Sequence, residues 1–187
     1  MRVLGISGSL RRESWNGKLL RAAGELLEAE GARLVVYDHL KDVPPYDQDD
    51  DVGDGPEAVA RLRRAIADAD AVFFSTPEYN SSVPGALKNA IDWVSRPLAT
   101  NPLRNKPVAV VGASTGMFGA VWSQAELRKV LAATGARVVD GEVAVGHAHT
   151  RFDDDGCLAD VNLREQLGEV ARTLVAETKP ASERVAA

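Results

Sequence analysis

Short unbroken apolar runs alternate with amphipathic stretches along this chain. Val3-Leu4-Gly5-Ile6, Leu34-Val35-Val36-Tyr37, Ala71-Val72-Phe73-Phe74 and Val108-Ala109-Val110-Val111 are followed by Val138-Val139 and Val143-Ala144-Val145. None alternates apolar with polar, so they read as strands covered on both faces. Between the first two, Leu19, Leu20, Ala23, Leu26 and Leu27 recur at helical spacing and stop near Gly31, a C-terminal cap. Further helices are predicted over 58–67, 83–94, 126–133 with Gly135 following, and 161–175 ahead of Pro180. This rhythm predicts an α/β fold, a doubly wound five-stranded parallel sheet with helices on both faces, because parallel neighbours need right-handed helical crossovers. One domain over residues 1–178 is expected, followed by a polar, mobile tail at 179–187.

Composition narrows the class. At 187 residues the chain suits one domain and buries about 70% of its unfolded surface, enough for a core without disulfides or structural metal. Its three Trp, three Tyr and four Phe are too few to build that core, which must be mostly aliphatic, so the location of each ring matters. A net charge of −5 argues against wrapping nucleic acid or an anionic membrane, and leaves room for a local basic site for a small anion. Cys157 stands alone, which excludes an internal disulfide and a multi-cysteine metal site. With no signal-peptide pattern and no apolar run of spanning length, a reducing cytoplasm is the expected setting. The acidic loop 46–54 invites a calcium reading that fails, since Val52 and Ala58 hold the positions where the pattern needs Gly and Glu; it reads as a solvated loop. His39, His147 and His149 read as surface histidines, because His147-x-His149 lacks a third ligand, and no metal is expected.

Ligands of doubly wound sheets bind at the carboxyl ends of the strands. Three loops there carry chemistry. The first, Ser7-Gly8-Ser9-Leu10-Arg11-Arg12-Glu13-Ser14-Trp15-Asn16, opens a helix and offers backbone N–H groups, hydroxyls, an amide and a guanidinium, the groups a phosphate monoester needs. It is neither a Walker loop nor a Gly-x-Gly-x-x-Gly turn, and its plainer account is a polar turn with Ser14 capping the helix. The second, Ser75-Thr76-Pro77-Glu78-Tyr79-Asn80-Ser81-Ser82-Val83-Pro84-Gly85, places Tyr79 in polar surroundings. Capping does not explain that ring, which suits either a planar ligand held by main-chain groups of 78–80 or packing on a neighbour. The third, Gly112-Ala113-Ser114-Thr115-Gly116-Met117-Phe118-Gly119, is either a close-approach surface for a flat ligand or a glycine turn with positive φ. Together they flank the switch point of a 2-1-3-4-5 sheet, with one loop suited to phosphate and two to a planar ring, the shape of FMN.

Gly-Ser-Leu-Arg-x-x-Ser-x-Asn at 8–16 and Pro-Glu-Tyr-Asn-x-x-x-Pro-Gly-x-Leu-Lys-Asn-x-Ile-Asp-Trp at 77–93 resemble the NADPH-dependent FMN reductase family, a flavodoxin-like group of quinone, azo and chromate reductases. The resemblance covers about residues 1–150. It implies that Ser9, Arg11, Ser14 and Asn16 clasp the FMN phosphate, with Leu10 and Trp15 in the same loop among the cofactor contacts. It also implies that Pro77, Glu78, Tyr79 and Asn80 run along the isoalloxazine, and that Ser114, Thr115 and Gly116 form the remaining flavin loop. Leu127-Arg128 fits the family's Leu-Arg, whereas Gly119-Ala120-Val121-Trp122 departs from its Gly-Gly-x-Arg. The implied activity passes hydride from NADPH or NADH through bound FMN to a quinone, azo compound, metal oxyanion or free flavin by ping-pong kinetics, with no catalytic side chain of its own. The implied assembly is a homodimer or homotetramer near helix 85–93, where Trp93 is either an interface residue or interior packing. The second reading is a flavodoxin-like FMN electron carrier without NAD(P)H activity.

Overall fold

Each long apolar run forms a strand and each amphipathic stretch a helix. In a computed structural model that describes residues 1–179, the order is β1 (Arg2–Ser7), α1 (Trp15–Ala29), β2 (Arg33–Tyr37), α2 (Glu57–Ala67), β3 (Ala71–Thr76), α3 (Gly85–Val94), β4 (Pro107–Ala113) and α4 (Val121–Ala133). β5 (Arg137–Val138), β6 (Ala144–Val145) and α5 (Val161–Glu177) complete it. All pairings are parallel in the order β2-β1-β3-β4-β5, so the expected α/β architecture and strand order hold. α1 ends as expected, with Gly31 in the left-handed region at φ +75°. The tail expected from 179 onward falls, past Lys179, outside the described residues.

The fifth strand departs from the simple picture. Its two valine-rich runs form separate two-residue strands on one edge of β4: β5 pairs with Pro107 and Val108, β6 with Gly112 and Ala113. Backbone bonds continue as far as Val139 N to Val108 O and Gly112 N to Val143 O, leaving the Val110 carbonyl between them without a strand partner. Arg128, on α4, fills that gap. Its guanidinium donates to Val110 O (2.7 Å), Val139 O (2.9 Å) and Gly141 O, so a side chain completes the ladder where the backbone bulges away. Burial pulls the Arg128 pKa down, and Glu142 and Asp140 oppose that shift.

Two cores lie on opposite faces of the sheet. α1 and α5 cover one with Leu19, Leu27, Leu167 and Leu174; α2, α3 and α4 cover the other with Leu62, Ile91, Trp93 and Leu127. Consecutive Phe73 and Phe74 enter opposite cores, as the two-residue period of a strand requires. Trp93 resolves to interior packing: it is fully buried within the single chain, donates from Nε1 to Pro44 O (2.8 Å) and meets Tyr46 edge-on. It therefore offers nothing to a subunit interface. The acidic loop is tied down by Arg63, which reaches Asp51 Oδ1 (2.8 Å) and Asp54 O (3.1 Å).

Replacing Arg128 with methionine, similar in length but without donors, leaves three carbonyls short of partners. The expected loss is about 2–3 kcal/mol, read as a lower urea midpoint.

Candidate cofactor site

The carboxyl ends of β1, β3 and β4 are joined through Asn16, the second residue of α1. Its Oδ1 accepts from Ala113 N (3.0 Å) and Ser75 Oγ (2.9 Å), and its Nδ2 donates to Ala113 O (2.9 Å). Only 2% of Asn16 is exposed, so these bonds exchange with little water. Gly8 N to Ser75 O (2.8 Å) adds a backbone link between the first two strand ends. All three loops singled out by sequence thus start from one hydrogen-bonded ridge.

The first loop concentrates hydrogen-bond donors at a helix start. Ser14 caps α1, accepting from Asn16 N (3.2 Å) and Gly17 N (3.4 Å). The amides of Leu10, Arg12, Glu13, Ser14 and Trp15 meet no acceptor among the described residues, at the positive end of a 15-residue helix. Arg11 arches over this loop, its Nη2 donating to Glu13 O (2.5 Å), while the Ser9 hydroxyl accepts from Arg11 N (3.4 Å). Free donors, a hydroxyl and a guanidinium therefore share one short segment. The Trp15 ring turns away from it, stacking on Phe152 with centroids 5.5 Å apart and carrying Lys18 Nζ over its face. Trp15 can serve an anion only through its backbone.

The second loop carries a tight turn. Tyr79 and Ser82 exchange backbone bonds of 3.2 and 3.1 Å around Asn80 (φ 53°) and Ser81 (φ 59°), the doubly left-handed pattern of a type I′ turn. The Tyr79 amide is consumed there, which removes it from the main-chain groups offered to a planar edge, while the amides of Glu78 and Asn80 meet no acceptor among the described residues. The Tyr79 ring is 54% exposed and packs on no other ring among the described residues. The Glu78 side chain points away from the turn and caps α4, accepting from Trp122 N (3.1 Å) and Ser123 N (3.2 Å). Pro77 is buried and its carbonyl accepts from Thr76 Oγ1 (2.8 Å).

The third loop is moulded onto β6. A Cβ on Gly119, at φ +59°, would fall 2.4 Å from the Ala144 carbonyl carbon, and one on Gly146 would fall 2.1 Å from Met117 O, so backbone packs directly on backbone. Gly116 differs: its nearest neighbour would be Ser114 Oγ at an ordinary 3.5 Å, leaving its outer side open. Ser114 accepts from Gly116 N (3.1 Å), and Thr115 is exposed beside it. Phe118 and Trp122 pack edge to face at 5.0 Å, each about half exposed, with Met117 exposed next to them. Ala120 takes the left-handed conformation, φ 64°, that the family's second glycine would adopt freely.

A donor-rich loop beside a shelf between the two loops that follow adjacent strands β3 and β4, at the sheet's switch point, offers the donors a flavin mononucleotide uses. Residues 1–150 match the family described as NADPH-dependent FMN reductase. The chain belongs to that family. Membership makes it an oxidoreductase with FMN as cofactor and NAD(P)H as electron donor, which sets aside the carrier reading. It is 41% identical over 175 residues to an NAD(P)H-dependent FMN reductase of Pseudomonas aeruginosa, covering 93% of each chain. To a quinone reductase of Pseudomonas putida it is 41% identical over 156 residues, 83% of each. FerB, a flavoenzyme NAD(P)H:acceptor oxidoreductase from Paracoccus denitrificans, superposes with a TM-score of 0.84 at 36% identity, over 95% of this chain and 96% of that one. No helix among the described residues is long and apolar enough to cross a membrane.

Ser75 stood in the second loop without a role of its own and Glu126 was not singled out by sequence, although Ser75 bonds to Asn16 and Glu126 to Ser82 and Val83. Ser75 had a usable signal, a hydroxyl ending an otherwise apolar strand; Glu126 had none, being one acidic residue on an exposed helix face. Asn16→Leu strands the Ala113 amide and carbonyl and the Ser75 hydroxyl without partners. It should cost about 2–4 kcal/mol in chemical denaturation and weaken flavin retention in the same protein. Asn16→Asp, which keeps the acceptors but loses the donor and buries a charge, should also destabilise; a parent-like midpoint for both variants would show the ridge to be dispensable.

Proposed function

We propose that this chain passes electrons from NAD(P)H through bound FMN to small planar acceptors, quinones foremost, by a ping-pong mechanism. The observation that carries the reading is the row of unpaired amides at the start of α1 with Arg11 arched over it, opening onto the shelf between the second and third loops. Ser9, Arg11 and the amides of Leu10, Ser14 and Trp15 take the phosphate, with Ser14 and Asn16 setting the loop's shape and Asn16 keeping one amide hydrogen to spare. Pro77, Glu78, Tyr79 and Asn80 from the second loop and Ser114, Thr115 and Gly116 from the third would hold the ring. The Glu78 and Asn80 amides are available to its polar edge, where negative charge collects on reduction.

Bound FMN supplies the redox chemistry, for which the protein needs no nucleophile or metal. Exposed Tyr79, Phe118 and Trp122 present uncharged rings at the rim of the shelf, which favours a neutral planar acceptor such as a quinone over a metal oxyanion. Azo compounds and free flavin share that planarity. One open side means that donor and acceptor occupy it in turn. A homodimer or homotetramer would cover the exposed Met117, Phe118 and Trp122 beside the site. A cytoplasmic setting suits a chain whose single cysteine stays unpaired.

Purified protein should show the absorbance bands of oxidised flavin, bleach in stopped flow with NADPH or NADH, and give parallel double-reciprocal plots with a quinone. Intersecting plots would exclude the shared-side mechanism, and no bleaching with either nicotinamide would exclude the activity. Arg11→Ala should bind FMN roughly ten- to a hundredfold more weakly, the worth of a charge-assisted bond to phosphate. Parent-like affinity would remove Arg11 from the phosphate site.

A further inference from the structure

The turn at 79–82 bears Tyr79, yet among the described residues its backbone is held by only its own two hydrogen bonds, with two non-glycine residues in the left-handed region. Two carboxylates tie it to the rest of the protein, and they run in opposite directions. Glu78, just before the turn, reaches the first turn of α4 through Trp122 N and Ser123 N. Glu126, one helical turn further along α4, reaches back to the residues just after it, accepting from Ser82 Oγ (2.6 Å) and Val83 N (3.3 Å). The crossing pair brackets Tyr79, Asn80 and Ser81. Because α4 begins directly after the third loop, the same pair ties the Tyr79 turn to the helix whose start carries the Phe118–Trp122 ring pair.

We propose that Glu126, acting with Ser82, is a positioning residue for the oxidoreductase reaction: it holds the Tyr79 turn at the spacing that the flavin ring and the acceptor require. This rests on the function proposed above. Glu126 is exposed and touches neither core, so its bonds add little to global stability. Their effect is to restrict a loop that would otherwise sample several positions, an ordering cost then met during binding. The hydrogen bonds from Ser82 and Val83, with Lys129 and Lys88 nearby, hold the Glu126 carboxyl below its ordinary pKa, so the acceptor is ionised at neutral pH.

The test uses full-length protein loaded with FMN and a benzoquinone as acceptor. Glu126→Ala and Ser82→Ala should each raise the FMN dissociation constant and the quinone KM about two- to tenfold, the range for losing one or two exposed hydrogen bonds, with kcat and the melting temperature close to the parent. The double variant should be no worse than the worse single one, because both remove one interaction. Glu126→Gln, which keeps an acceptor oxygen, should stay within about twofold of the parent. Parent-like constants in both alanine variants, effects that multiply in the double variant, or a loss of melting temperature that accounts for the change would each overturn the positioning role. A parent protein that neither binds FMN nor oxidises NAD(P)H would instead overturn the function on which it rests.

Discussion

One buried carboxamide governs the geometry of this site. Asn16 bonds at once to the ends of β3 and β4 while starting the helix that follows β1, so the three strand ends under the flavin shelf share a single hydrogen-bonded hub. The partners are 97 and 59 positions away in the chain, and the hub forms only when the sheet has paired in its crossed order. In a nearly dry setting each of those bonds is costly to leave unmade, which makes the relative height of the loops a property of the fold and not of the loops.

On that ridge the protein places opposite electrostatic solutions side by side. The whole chain is acidic, yet the start of α1 presents a run of unpaired N–H groups and a guanidinium, a local positive field independent of net charge. At α4 the corresponding helix start is already satisfied by the Glu78 carboxylate. The helices that follow β1, β3 and β4 all start at this end of the sheet; α4 is capped by Glu78, α3 starts at Pro84 without a side-chain cap, and α1 alone combines open amides with a nearby guanidinium. That difference, invisible in the helix propensities, is the reason the proposed phosphate site lies in the first loop and not in the third.

The scarce aromatics divide three ways. Tyr37, Phe73, Phe74 and Trp93 are core with Tyr46 against Trp93, Trp15 is pinned to Phe152, and Tyr79, Phe118 and Trp122 remain exposed in or beside the second and third loops. Their exposure at one end of the sheet is an apolar rim on an otherwise polar set of loops, suited to a planar partner or a second subunit.

The strands, the alternation of helices and the three loops after the first, third and fourth strands were legible in the sequence, because continuous apolar runs, helical spacing and loop composition are local patterns that each segment carries whatever surrounds it; the strand order followed from the doubly wound fold type these patterns indicate. The long motifs at 8–16 and 77–93 also carried the family. What was not legible is which way individual polar groups face. Asn16 turns inward to Ala113, Glu78 caps α4, the Tyr79 amide closes its own turn, and Arg128 replaces a missing piece of the fifth strand. Each choice is made by a partner distant in sequence or by a backbone left unpaired after the sheet has formed. Local composition by itself determined that donors and carboxylates would gather at this end of the sheet; tertiary structure decided which of them are spent on the protein and which are left for a ligand, because a polar group is free only when no other part of the fold has come within hydrogen-bonding reach of it.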